Sequence, residues 1–351
     1  MKRAHPLQGL LIALLAALAF SAHAWDRGTA IKFATLPPGT AHPEGITADA
    51  QGNIYVADFD VSGETAVGNV IVFNRAGRLV RKMDIAGSSP LLLGIAFHPQ
   101  TGALLVIDFG NQRVLKIDPL GAAPPTVFTT IPGGASAGPN ALAFDPDGNV
   151  YISDSFAGAI WRTGPAGSPV ATLWLADPLL ATSGVPPFGA NGLAFNNAYS
   201  ALFVANTGND TVVKIPLPLG PSGAPGTPEV FVNSINGADG VLIDSADNLW
   251  VAANQSDEIV VLDGTGRVIA KLGDFGGIDA QGSPIGLLFP ASLVISNGFL
   301  YVTNLSLDLR ILPVPQTTNS QWSAQVTRHT IARMRAQIPP VRGFQGVGRR
   351  R

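Results

Sequence analysis

The sequence predicts an all-β fold: a six-bladed β-propeller with four-stranded blades, its ring closed by strands from the N- and C-terminal ends. Three observations carry this expectation. Of 351 residues, 40 are Gly and 28 are Pro, while only 13% are charged, so exposed helix faces have little to be built from. Hydrophobic residues reach 46%, which excludes a disordered chain and supplies a large core. One pattern of short apolar strands between Gly, Asn and Asp turns then recurs six times, about 50 residues apart, as propeller blades do.

The N-terminus reads as an address. Lys2 and Arg3 precede an apolar run over residues 9–20, and Ala22-His23-Ala24 offers a small-x-small cleavage site. Residues 1–24 are therefore expected to be a secretory signal peptide. The run is shorter than the roughly 20 residues a membrane-spanning helix needs. The expected product begins at Trp25, has no transmembrane segment and is periplasmic or secreted. No Cys is present, so disulfides, thiolate nucleophiles and Cys-ligated zinc are excluded.

The propeller is expected over residues 25–340. Its six units begin at residues 43–58 (PEGITADAQGNIYVAD), 92–108, 139–154, 190–206, 238–253 and 290–304. Taking the second residue of each gives Glu44, Leu93, Asn140, Asn191, Asp239 and Ala291, spaced by 49, 47, 51, 48 and 52. Runs such as GNIYVAD, GNVYISD and DNLWVAA are apolar and bounded by turn residues, as buried second strands should be. Third and fourth strands follow in units one to five. The sixth unit has a third strand near residues 329–335 and no fourth of its own. Residues 30–36 (AIKFATL) are expected to fill that gap, removing an open sheet edge.

Loops 176–190 and 274–290 join a fourth strand to the next first strand. Loop 216–228, rich in Pro and Gly, is expected on the same face as those two.

Charge divides unevenly. Residues 25–327 hold 13 Lys/Arg against 24 Asp/Glu, whereas residues 328–351 hold seven Arg and no acid. An acidic body disfavours nucleic acid as a partner. Residues 341–351 form a basic C-terminal tail, read as a solvated end or as a segment docking on the acidic body or an anionic lipid surface.

The candidate site follows from register. Each marker residue starts the innermost strand of its blade, so all six ring one mouth of the central channel. Four are polar: Glu44, Asn140, Asn191 and Asp239. Two carboxylates and two amides offer oxygen ligands only, which suits a hard cation such as Ca²⁺. Without a cation, two carboxylates this close would repel and lose hydration. The competing reading takes these as turn residues, because Asn-Gly and Asp-Gly are common turn pairs. His42, two residues before Glu44, could line the mouth and touch substrate, or be a loop histidine with no catalytic role. With only His42, His98 and His329 beyond the signal peptide, a His-ligated zinc site is disfavoured. Asp58, Asp108, Asp154, Asn206 and Asn304 end the second strands and read as turn caps.

The runs PEG, PNALAFDPDG, ANGLAF and ADGVLIDSADNLWVA resemble the gluconolactonase (senescence-marker-protein, regucalcin-like) family of six-bladed propellers. The blade pattern is also similar to that of NHL-repeat proteins. The resemblance implies that Glu44, Asn191 and Asp239 bind a divalent metal and that Asn140 lies near metal and substrate. Two departures stand out. The family often carries an Arg two residues before the blade-three Asn, where this chain has Gly138. The related paraoxonases carry a His where this chain has Leu93.

Two functions follow as expectations. The first is an exported hydrolase dependent on a divalent metal and acting on a lactone or related ester. Its cofactor is Ca²⁺ first, with Mn²⁺, Mg²⁺ or Zn²⁺ as alternatives. Asp239 would serve as ligand and catalytic base, Asn140 and His42 would contact substrate, and Phe188 and Phe289 would wall the pocket. The second is a non-catalytic NHL-type propeller that binds a peptide, glycan or partner protein, with a structural metal at most. A monomer is expected in either case.

Overall fold

The computed structural model of the chain describes residues 26–311 and 318–338. The expected signal peptide over 1–24 and the basic tail over 341–351 lie outside the described residues. Six four-stranded antiparallel sheets form the ring. Blade three is typical, with strands Pro139–Phe144, Val150–Asp154, Ala159–Thr163 and Thr172–Ala176 running from the axis outward.

Blade six closes the circle. Its inner strands Pro290–Ser296, Phe299–Asn304 and Thr330–Arg335 are completed on the outside by Ile31–Thr35. The expected use of residues 30–36 is thereby borne out. Arg333 and Arg335, counted above with the basic C-terminal stretch, belong to this closing strand and lie over the Phe299 ring.

Second strands are buried almost throughout and third strands mostly so, while fourth strands are half exposed. The cause is packing on both faces, since each blade is sandwiched between two others. Six apolar clusters result. Four show the pattern plainly: Val70 and Val106 fill the space between blades one and two, Ile160 and Leu202 between three and four, Ala205 and Val251 between four and five, Val261 and Val302 between five and six.

The polar residues ending the second strands are caps, and they do more than close a turn. Asp154 accepts from the amides of Phe156 and Ala157 in the following turn, and also from Gly138 N at 2.7 Å and the Trp161 indole at 2.9 Å. Asp108 and Asp58 likewise hold Ser89 N and Ala41 N, which precede the innermost strands of their own blades. Each cap therefore ties the approach to the first strand onto the end of the second.

One expectation is overturned. Loop 216–228 lies on the face opposite the markers: Tyr151 Oη donates to Pro221 O at 2.8 Å, beside the turn between the first two strands of blade three. The reason is strand alternation, because the connection from third to fourth strand shares its face with that from first to second. Sequence alone also understated one connection. In blade six, residues 305–329 separate the second strand from the third, where blades two to five use four. This insertion stands on the marker face and contains a short helix, Thr318–Ser323. Among the described residues, no helix is long and apolar enough to cross a membrane.

Candidate active site

All six innermost strands carry a β-bulge at the same place. Register slips between Pro43 and Ile46, Leu92 and Ile95, Pro139 and Leu142, Ala190 and Leu193, Ala238 and Val241, and Pro290 and Leu293. The marker and its successor occupy each bulge, which re-aims the marker side chain. The successor is Gly45, Gly94, Gly192 or Gly240 in four blades, and none of these glycines has a left-handed φ. Their role is close approach. A Cβ on Gly192 would stand 2.5 Å from Asp239 O, one on Gly94 2.6 Å from Asn140 O, and one on Gly240 2.5 Å from Ala291 O. Each glycine thus lets its strand lie against the marker carbonyl of the next blade. The Asn-Gly and Asp-Gly pairs are ring-packing units, and the turn reading does not describe them.

The four polar markers converge. Glu44, Asn140, Asn191 and Asp239 line one chamber with Leu93, Thr207, Asn254 and a set of aromatic and leucine side chains. All four are at most 5% exposed. A second ring of side chains, one residue beyond the end of each second strand, orients them. Ser155 Oγ donates its single proton to Ala190 O at 2.7 Å, so it can only accept from Asn140 Nδ2, at 3.2 Å. Thr207 does the same one blade on, donating to Ala238 O at 2.7 Å and accepting from Asn191 Nδ2 at 2.9 Å. Each amide therefore turns its carbonyl oxygen away from the hydroxyl. Asn254 donates to Asp239 Oδ2 at 3.1 Å and is itself set by Gln255.

The charge balance of this chamber is unusual. Glu44 Oε2 and Asp239 Oδ1 are buried without a hydrogen-bond partner. Burial, and then the charge of Asp239, hold the Glu44 carboxyl well above the usual carboxylate range. Burial likewise pushes Asp239 up to about 7, against the pull of the Asn254 and Asn191 amides. Two partnerless carboxylate oxygens and two oriented amides make an all-oxygen donor set whose missing component is positive charge. The residues fit a hard divalent cation. Among the described residues, no cluster of three His, Cys, Asp or Glu offers an alternative metal site.

His42 is not brought into the chamber. Its Nδ1 lies 2.8 Å from Leu305 O, and its ring meets His329 edge-on at 4.4 Å. In this placement it braces the segment that carries Leu305, one of the lining leucines. His98 is structural too. Its Nδ1 accepts from the amides of Gln100 and Thr101, leaving Nε2–H to donate to Gly148 O at 2.8 Å.

Phe188 and Phe289 wall the chamber as expected, and Pro186 joins them from the same loop as Phe188. The sequence reading missed Ser155, Thr207 and Asn254. It also missed Leu305, Leu307 and Leu309, three alternate residues at the start of the blade-six insertion that line the mouth and are nearly or fully buried. Counting one residue beyond each second strand would have found the first three. The space left between these side chains is about 30 Å³ and opens to solvent, room for an ion and a water or two.

Residues 187–273 match the SMP-30/Gluconolactonase/LRE-like region. That segment contains Asn191 and Asp239, the two markers of blades four and five. No curated protein sequence matches the chain. Solved structures share the fold. A luciferin-regenerating enzyme superposes with a TM-score of 0.62 at 16% identity, covering 85% of this chain and 93% of its own. Regucalcin from Agrobacterium tumefaciens, described as a calcium-binding protein, gives 0.59 at 17%, covering 88% and 98%. A gluconolactonase from Xanthomonas campestris gives 0.55 at 18%, covering 76% and 84%.

The carboxyl pair sets a pH dependence. Both groups are held above their unfolded values, so the folded chain keeps protons that the unfolded chain has released. The stability this lends is full below about pH 4 and is lost as pH rises through about 7. Asp58, also pushed up to about 7 by burial, acts in the same sense. His329, pushed down to about 3 by burial and by His42, acts oppositely, its contribution being lost as pH falls below 6.5. Above pH 6.5 the carboxyls therefore dominate. Chelated protein should lose thermal stability between pH 6.5 and 8. Ca²⁺ should raise Tm by more at pH 8 than at pH 5, where the ligands hold protons. Equal shifts at the two pH values, read by differential scanning calorimetry, would contradict the assignment.

Proposed function

We propose that the protein is an exported hydrolase of lactones or related esters that depends on a divalent cation held by Glu44, Asn191 and Asp239. One observation carries the reading: two buried, partnerless carboxylate oxygens share a chamber with two oriented amides, and half of that set lies in the segment matching the gluconolactonase region. The calcium-binding description of the regucalcin relative makes Ca²⁺ the first candidate. The exported setting rests on the first 24 residues of the sequence.

A bound cation would supply Lewis acidity toward a carbonyl oxygen and charge stabilisation for the oxyanion that follows. The chain supplies the remaining parts. Asp239 can take a proton from an attacking water. Asn254 fixes its Oδ2. Asn140, anchored on Ser155, positions the substrate carbonyl, and the aromatic and leucine walls keep bulk water out.

The small volume favours a second reading, a binding propeller whose ion is structural. A panel of lactones and aryl esters separates the two, assayed with Ca²⁺, Mn²⁺, Mg²⁺ or Zn²⁺ and with EDTA. Turnover that EDTA abolishes and a divalent cation restores is the expected result. No turnover of any substrate with any cation would leave the binding propeller standing.

A further inference from the structure

Apart from Glu44, the polar side chains of the chamber come from one side. In the second ring, blades three, four and five present Ser155, Thr207 and Asn254, while blades six, one and two present Leu305, Phe59 and Phe109. The markers follow this division with one exception: Leu93 in blade two and Ala291 in blade six are apolar, whereas Glu44 in blade one places a carboxyl on the apolar side. Beyond the four polar markers, Thr207 and Asn254, the walls are Phe59, Leu93, Pro186, Phe188, Phe289 and the three leucines of the blade-six insertion. No Lys, Arg or His is among the lining residues.

An aromatic track leads from this wall to the surface. Phe188 stacks on Phe156 with ring centroids 5.7 Å apart, Phe109 meets Phe156 edge-on at 5.5 Å, and Phe59 meets Phe109 at 6.1 Å. Phe156 is 47% exposed at the outer end. Its ring also lies over Gly138, where a Cβ would stand 2.8 Å from the Phe156 ring. Residue 138 therefore cannot extend a polar side chain toward Asn140, because an aromatic ring occupies that space.

We infer that the substrate is an uncharged lactone or ester carrying an alkyl or aryl chain. Its carbonyl would lie at the polar markers and its chain along Phe188 and Phe156. This rests on the hydrolase reading above and adds the class of molecule recognised. A polyhydroxylated sugar lactone would leave its hydroxyls facing Phe and Leu with no donors or acceptors to replace water. The chamber opens to solvent, so the chain can run outward from the markers along Phe188 to the half-exposed Phe156 ring.

The test uses the Ca²⁺-loaded full-length mature protein and γ-lactones lengthening from γ-butyrolactone to γ-nonalactone, with D-glucono-1,5-lactone as the polar comparison. The expected kcat/KM rises about 3-fold per added methylene, with the sugar lactone slowest. Phe156→Ala, at a half-exposed position that folding tolerates, should shrink the ratio of long-chain to short-chain kcat/KM by about 10-fold. In a parallel arm that needs no turnover, calorimetry measures binding of 2-pentylcyclopentanone, an unreactive cyclic ketone with the same chain, against sorbitol. Ketone binding without hydrolysis of any lactone would sustain the apolar specificity and sink the hydrolase reading. A flat or falling chain-length profile, a preference for the sugar lactone, or failure to bind the ketone would overturn the inference.

Discussion

Replacing Asp239 with Asn should lower hydrolysis by about 10²-fold or more while making the metal-free protein more stable. The two effects have one cause. Asp239 is 4% exposed, faces Glu44 across the chamber, and has one oxygen without a partner. In the absence of a cation its charge is a liability, because ionisation near neutral pH works against both burial and repulsion. Asn keeps the shape and an oxygen to accept from Asn254, and it removes the charge. At pH 8 the chelated variant should therefore gain about 1–3 kcal/mol over chelated wild type. With Ca²⁺ present the order should reverse, since the variant has lost a charged ligand. A variant with full activity and unchanged cation response would show that the chemistry lies elsewhere.

The second large effect concerns a residue with no functional atoms. Gly192→Ala should destabilise the protein by about 2–3 kcal/mol and weaken cation binding together. The added methyl would stand 2.5 Å from Asp239 O and 2.7 Å from Val241 N. Both are backbone atoms of the neighbouring innermost strand, which must shift to make room. That shift moves Asp239 relative to Asn191, so the donor set loses its spacing as the ring loses packing. Chemical denaturation and a calcium titration on the same variant check the coupling. If stability falls with cation affinity intact, the glycines serve the ring alone and the site tolerates blade displacement.

Much of this was legible in the sequence because a propeller repeats. Six copies at one period place equivalent residues on one axis, so register alone brought Glu44, Asn140, Asn191 and Asp239 together from nearly 200 residues of chain. The closing strand over Ile31–Thr35 was legible for the same reason, as the missing member of a regular count. What escaped lies where repetition breaks or where one signal has two meanings. The insertion after Asn304 has no counterpart in the other blades, so its leucines had no register to reveal them. Glycine after the marker reads locally as a turn, and only the packing of one blade on the next shows a bulge pressed against a carbonyl. His42 lies two residues from Glu44, and plain strand alternation would put both on one face; the bulge after Pro43 re-aims Glu44 to the chamber while the His42 side chain reaches Leu305 and His329.

Isothermal titration of the chelated protein with Ca²⁺ at about pH 8 decides whether Glu44, Asn191 and Asp239 hold one divalent cation at the channel mouth. One ion should bind per chain, with affinity lowered by about 10-fold or more in Asp239→Asn and again in Glu44→Gln. Absence of binding by the wild type, or binding that neither substitution weakens, would contradict it.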